Sequence, residues 1–153
     1  MNLTGNKILI TGGASGIGFA LVERFSQEGN TIIICGRRQD ALDEAQQKNP
    51  SWITRVADAS TEEGRTALVE WVMKEHPDTN VLVNNAGIQN WMKIDEPDYY
   101  TRAKAELAIN VEAPLHLTQL FLQSKAINTI INVTSGLSFT PLTKTPVYSA
   151  TKA

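Results

Sequence analysis

One cysteine in 153 residues cannot close an internal disulfide, so the fold must rest on burial of apolar surface rather than on covalent staples. That residue, Cys35, lies inside the apolar run Thr31 to Cys35 and reads as a small buried strand residue, not a nucleophile. Histidine is almost as scarce. His76 precedes Pro77 and His116 stands alone in a helical pattern, with no second ligand at metal spacing, so no metal site is expected. Neither sign of charge dominates: the formal net charge is -2 and the charges are interspersed, which leaves no electrostatic footprint for nucleic acid or an anionic membrane. The start of the chain, Met1-Asn2-Leu3-Thr4-Gly5-Asn6-Lys7, has no charged leader, long apolar core or cleavage signal, and a cytoplasmic location is expected.

What is present is an ordinary globular composition, 42% hydrophobic and 20% charged, in a chain long enough for one cored domain. No composition shift or linker divides it, so residues 1–153 are read as a single domain. Short β-rich runs at Lys7 to Thr11, Thr31 to Cys35, Trp52 to Val56, Val81 to Asn84 and Thr129 to Thr134 alternate with helical patterns. Those patterns span about Gly16 to Glu28, Gln39 to Lys48, Thr61 to Lys74 and Asp98 to Ser124. The runs are near-continuously apolar, as strands covered on both faces are. The alternation predicts an α/β fold, a doubly wound parallel sheet of Rossmann-like type built from right-handed crossovers.

Between the first strand and first helix stands "ITGGASGIGFALVERF". Gly12 allows a sharp turn there, while Gly16 and Gly18 let backbone approach a pyrophosphate and the sheet. Ser15, Gly16 and Ile17 then open a helix whose free amides and dipole attract an anion. A glycine cluster alone also suits any tight turn, but here a buried strand precedes it and an amphipathic helix and second strand follow. Dinucleotide binding is the reading. The second strand ends in "CGRRQD", with Gly36 where an NAD site usually carries a ribose-binding acid and Arg37 and Arg38 just behind it. A guanidinium holds a 2′-phosphate by charge-assisted hydrogen bonds, so NADP(H) is preferred. NAD(H) stays open through Asp40 as a late ribose acid, and the arginines would otherwise complement Asp40, Asp43 and Glu44.

Taken in order and spacing, "TGGASGIG" at 11–18, "AD" at 57–58, "NNAG" at 84–87, Asn110, Ser135 and "YSATK" at 148–152 resemble the short-chain dehydrogenase/reductase family, from about Lys7 onward. The resemblance implies an oxidoreductase interconverting an alcohol and a carbonyl, in which Tyr148 exchanges a proton with the substrate oxygen and Ser135 holds that oxygen. It implies that Lys152 supports Tyr148 and meets the nicotinamide ribose, that Asp58 and Ala59 meet the adenine, and that the stretch from Asn84 through Ala86 to Gly87 walls the cofactor; an Asx turn at Asp58 and an Asn-Ala-Gly turn after the strand are the plain structural alternatives. The physics of the pair agrees: an ammonium about 5 Å from a phenol, at an effective dielectric of about 20, favours a phenolate by roughly 3 kcal/mol. Spacing alone is cheap, since Tyr100 and Lys104 repeat it. Only Tyr148 has a serine-bearing strand before it, at the sheet edge where open α/β sheets bind ligands.

Pro114 adds an independent sign, because it cannot donate to the carbonyl four residues back, that of Asn110. A kink is expected there, with a carbonyl needing a water or another donor; in the family this asparagine's carbonyl holds a water of the proton relay, and a simple bend to fit the sheet is the alternative. Gln89, Trp91, Leu137 and Phe139 to Thr145 are expected at the mouth of a site for a small-molecule carbonyl or alcohol. Ser15 departs from the basic residue common in NADP-preferring members. The chain also departs in length, since family members continue past the lysine with two strands, a substrate loop and a further helix, so the fold is expected to be incomplete at its C-terminus. A helix starting near Tyr148 is then too short to hold Lys152 by itself. The competing reading is a non-catalytic dinucleotide-binding module or an inactive fragment. In the family the long helix contributes to a dimer interface, and here apolar residues surround it (Leu107, Ile109, Val111, Leu115, Leu117, Leu120, Phe121), so the resemblance implies a homodimer or homotetramer when intact.

Overall fold

A computed structural model describes residues 2–153. Five strands, β1 (Lys7–Thr11), β2 (Thr31–Gly36), β3 (Ile53–Val56), β4 (Val81–Asn84) and β5 (Thr129–Asn132), form one parallel sheet in the order β3-β2-β1-β4-β5. The connecting helices are α1 (Gly16–Gln27), α2 (Gln39–Lys48), α3 (Glu62–Glu75), α4 (Tyr99–Leu107) and α5 (Ala113–Phe121), and a short α6 (Pro146–Thr151) follows β5. The chain winds outward from β1 through β2 to β3, then returns to the other side of β1 with β4 and β5. A crevice opens where two neighbouring strands send their chains in opposite directions, here beyond the carboxyl ends of β1 and β4.

Side-chain alternation along each strand divides the core into two layers. Ile8, Ile10, Ile32, Ile34, Val81 and Val83 face Val22 of α1 and Leu42 and Ala45 of α2. Leu9, Ile33, Cys35 and Leu82 face Leu68, Val69 and Val72 of α3 and Leu117 and Phe121 of α5. The sheet is thus covered on both faces, which is why its central strands read as unbroken apolar runs.

The edge strands depart from that reading. β3 and β5 are only partly buried, because each has a neighbour on one side alone. β5 ends at Asn132, so Val133 to Ser135 form a loop instead of prolonging the strand. Trp52 does not join β3: its amide donates to the Asn49 carbonyl in a turn, and its indole enters the α1–α2 layer, donating to Ser26 Oγ at 2.9 Å. The long helix runs from Tyr99 to Phe121 but widens to a π turn over Ala108–Glu112, where the amide of Ala113 reaches back to the carbonyl of Ala108. Pro114 supplies the cause, since a ring without an N–H cannot continue the regular ladder onto Asn110. Its second half packs on the sheet through Leu117 and Phe121, while Leu107, Leu115 and, just past its end, Leu122 are exposed.

At the opposite, amino-terminal edge of the sheet, three asparagines that immediately precede strands tie the strand entries together. Asn6 Nδ2 donates to Asn30 Oδ1 at 2.8 Å, Asn80 Nδ2 donates to Asn6 Oδ1 at 3.1 Å, and the amide of Lys7 donates to Asn80 Oδ1 at 2.9 Å. No helix among the described residues is long and apolar enough to cross a membrane.

Candidate active site

The crevice beyond β1 and β4 is a cavity of about 450 Å³. Along the sheet edge, Arg37, Arg38 and Ala59, after β2 and β3, line one end, Gly12, Ser15, Ile17 and Gly18, after β1, line the middle, and Ala86 and Gly87 follow after β4. Tyr148 and Lys152 stand at the other end.

The glycine turn is shaped for close approach. Gly12 has φ +64, a conformation that side chains disfavour, and its amide donates to the Cys35 carbonyl at 2.8 Å. At Gly18 a Cβ would lie 2.3 Å from the Gly12 carbonyl oxygen, so only glycine lets α1 pass this close to the turn. Ser15 is the N-cap of α1, yet its hydroxyl makes no capping bond, unlike Thr61 of α3, which accepts from Gly64 N at 3.0 Å. The first amides of α1 are therefore left for an external acceptor, and a phosphate fits there by charge and by shape. Arg37 and Arg38 are exposed at the cavity end, and neither pairs with Asp40, Asp43 or Glu44 among the described residues. Asp43 instead accepts from Gln39 Nε2 at 2.6 Å.

The other expected cofactor residues lie just outside the lining. Gly16 opens α1 behind Ser15. Asp58 turns its carboxylate into its own loop, accepting from the amide and hydroxyl of Ser60 at 2.9 and 2.6 Å. Burial works against its ionisation, but these two bonds and the nearby Arg37 charge hold its carboxyl below the usual range. Asn84 turns its side chain away from the lining: strand alternation sends its Nδ2 to Asn132 Oδ1, at 2.9 Å. Its neighbour Asn85 takes the cavity side, with Nδ2 on the Thr11 carbonyl at 2.9 Å and the Gly12 carbonyl at 3.3 Å. The amides of Asn85 and Ala86 both donate to Thr11 Oγ1 at 3.0 Å. Asn85 and Thr11 thus join the two strands at the crevice, a role that the paired asparagines of "NNAG" left ambiguous. Cys35 also lines the cavity, but burial pushes its thiol up to about 12 and keeps it protonated.

Lys152 is half-buried, and the loss of water around it lowers its ammonium below the ordinary lysine value. Its Nζ donates to the Val133 carbonyl at 3.0 Å and lies 5.9 Å from the Tyr148 ring centre. This bond to the loop after β5, not the length of α6, anchors the lysine. Asn110 is buried beneath the cavity and acts through its side chain. Its Oδ1 accepts from the Ile88 amide at 2.9 Å, and its Nδ2 donates to the Ile88 carbonyl at 2.9 Å and to Thr151 Oγ1 at 3.0 Å. It therefore fastens the exit of β4 to the residue beside Lys152. Ser135 lies outside the lining, where its Oγ accepts from the Leu137 amide at 3.2 Å and caps a 3-10 turn over Gly136–Ser138. Thr134 lines the cavity in its place. Gln89 lines it too, while Trp91 and Phe139 are exposed beyond it. The repeated motif at Tyr100 and Lys104 has a similar ring-to-ammonium distance, 5.8 Å, but Tyr100 is exposed and away from the cavity. Position in the fold, not pair geometry, separates the two.

A family model described as short chain dehydrogenase matches residues 6–153. An uncharacterized oxidoreductase, DltE of Bacillus subtilis, is 45% identical over 158 aligned residues, which cover all of this chain and 62% of that protein. An NAD-dependent glycerol dehydrogenase of Listeria innocua is 30% identical, with 99% of this chain and 61% of that protein covered. A crystal structure of a short-chain dehydrogenase from Streptomyces avermitilis superposes with a TM-score of 0.88 at 26% identity, over 97% of this chain and 56% of that one. The chain thus spans less than two thirds of the length of these relatives.

Proposed function

The chain belongs to the short-chain dehydrogenase family, and from that premise we propose that it is the coenzyme-binding and catalytic part of an NADP(H)-dependent oxidoreductase acting on a small carbonyl or alcohol. One observation carries this reading: Tyr148 and Lys152 open onto the same cavity as the glycine turn and the uncapped start of α1. The residues present fit a nicotinamide dinucleotide. Gly12, Ser15, Ile17 and Gly18 would hold its diphosphate, Ala59 its adenine end, and Arg37 and Arg38 a 2′-phosphate. The unpaired guanidiniums support NADP(H) over NAD(H), although the Listeria relative carries NAD in its name.

The bound coenzyme supplies or accepts the hydride. Tyr148 gives its phenolic proton to the substrate oxygen in reduction and takes it back in oxidation, so carbonyl, hydride and proton balance to an alcohol. Lys152 stabilises negative charge on the phenolic oxygen from its place on the Val133 carbonyl. Asn110 keeps that end of the site in register through Ile88 and Thr151. Ser135, next to the lining residue Thr134, would hold the substrate oxygen only by turning from its cap on the Leu137 amide towards Tyr148. The exposed Leu107 and Leu115, about two turns apart on the long helix, with Leu122 just past its end, support a homodimer or homotetramer.

The test is coenzyme oxidation by the protein that carries this chain, with a panel of aldehydes and ketones. NADPH should be consumed faster than NADH, and Tyr148→Phe should lower kcat by about 10²–10⁴-fold with the coenzyme still bound. Turnover unaffected by Tyr148→Phe sinks the catalytic reading, and equal use of both coenzymes by wild type and Arg37→Ala sinks the NADP(H) preference.

A further inference from the structure

Arg65, on α3, is a charged side chain sunk in the interior, 5% exposed and in no ion pair among the described residues. A buried guanidinium without a carboxylate is costly unless its donors are matched. Two of them are. Nη1 donates to the carbonyl of Ala59 at 2.9 Å, and Nε donates to Nδ1 of His116 on α5 at 3.0 Å. To accept there, His116 must carry its ring proton on Nε2, so it serves as a neutral acceptor that aims the guanidinium.

What Arg65 holds matters for the cavity. Ala59 lines it at the end away from Tyr148 and Lys152, and its side chain packs on Ile109 and Ala113 of the long helix. With the diphosphate over the glycine turn and the nicotinamide beside Tyr148, this far end is left for the adenine. The turn from Asp58 to Thr61 bonds within itself through Asp58 and Thr61. Arg65 is what ties its backbone across to α5.

We propose that Arg65, oriented by His116, is a positioning residue for the adenine-side wall of the coenzyme site, an inference that rests on the dinucleotide reading above. The test is calorimetric titration of the protein that carries this chain with ADP-ribose and, separately, with reduced nicotinamide mononucleotide. Arg65→Met should weaken ADP-ribose about tenfold and leave the mononucleotide within about twofold. His116→Leu, which removes the acceptor, should do the same, whereas His116→Gln, whose side-chain carbonyl can accept from Nε, should stay near wild type. A role in folding alone would weaken both halves together and would show no rescue by glutamine. If Arg65→Met does not fold, the two His116 variants decide. The inference is overturned if His116→Leu binds ADP-ribose as wild type does, or if both ligands weaken alike. Wild type that binds neither ADP-ribose nor NADPH sinks the dinucleotide reading itself, and this inference with it.

Discussion

Replacing Gly18 by alanine tests whether the start of α1 is built around a close backbone approach. The added Cβ would stand 2.3 Å from the Gly12 carbonyl oxygen and 2.4 Å from Asn85 Nδ2. Ordinary contact therefore requires a separation of about 1 Å more. The Gly12 carbonyl belongs to a turn pinned by its own amide on Cys35, so it does not yield freely. Asn85 can swing away only by giving up its bonds to the carbonyls of Thr11 and Gly12. Overpacking costs about 1–3 kcal/mol, and a lost neutral hydrogen bond about 1 kcal/mol. Alanine regains about 1 kcal/mol as the better helix former. The net expectation is a destabilisation of about 2 kcal/mol, or about 4–8 °C in Tm for a chain of this size. Because the displaced turn is the one that would face the diphosphate, NADPH affinity should fall as well, by about tenfold or more. Urea unfolding and a fluorescence titration read the two effects. Gly36→Ala is the control, since nothing lies within 4 Å of its Cβ, and its stability should stay within about 0.5 kcal/mol of wild type. A Gly18→Ala protein as stable and as avid as Gly36→Ala would falsify the close-approach account.

Two other substitutions probe the rest of the frame. Asn30→Ala removes the acceptor of the Asn6 amide and side chain and the donor to the carbonyls of Leu3 and Phe25; it should cost about 2–3 kcal/mol in urea unfolding, and a loss under about 0.5 kcal/mol would show that water replaces the network. Asp58 has its carboxyl lowered on folding, so its stabilising contribution is complete above about pH 4 and is lost as pH falls through the lower folded value. Asp58→Asn, which keeps an acceptor for Ser60, should flatten the acid limb of Tm against pH while changing Tm at pH 7 little; an unchanged acid limb contradicts the assignment.

Much of this protein was legible in the residues. The runs at Lys7, Thr31 and Val81 are apolar at consecutive positions, and only a sheet covered on both faces accommodates that pattern. The glycine turn between strand and helix was legible as a close backbone approach, which the structure places at the crevice. Trp52, Val133 and Thr134 read as strand residues but lie outside β3 and β5, because β propensity cannot tell a ladder residue from one that turns out of the sheet beside it. His116 looked idle along the chain, since its partner Arg65 is 51 residues away in sequence.

Local sequence, then, determined the alternation of elements, the parallel sheet and the place of the glycine turn, because periodicity and backbone sterics act over a few residues. Tertiary structure alone decided which of two adjacent asparagines faces the cavity and what holds Lys152. Those outcomes depend on strand parity at β4, on the Val133 carbonyl after β5, and on the π turn that brings Asn110 to Ile88 and Thr151. Each is a contact between segments far apart in the chain, which no spacing of residues records.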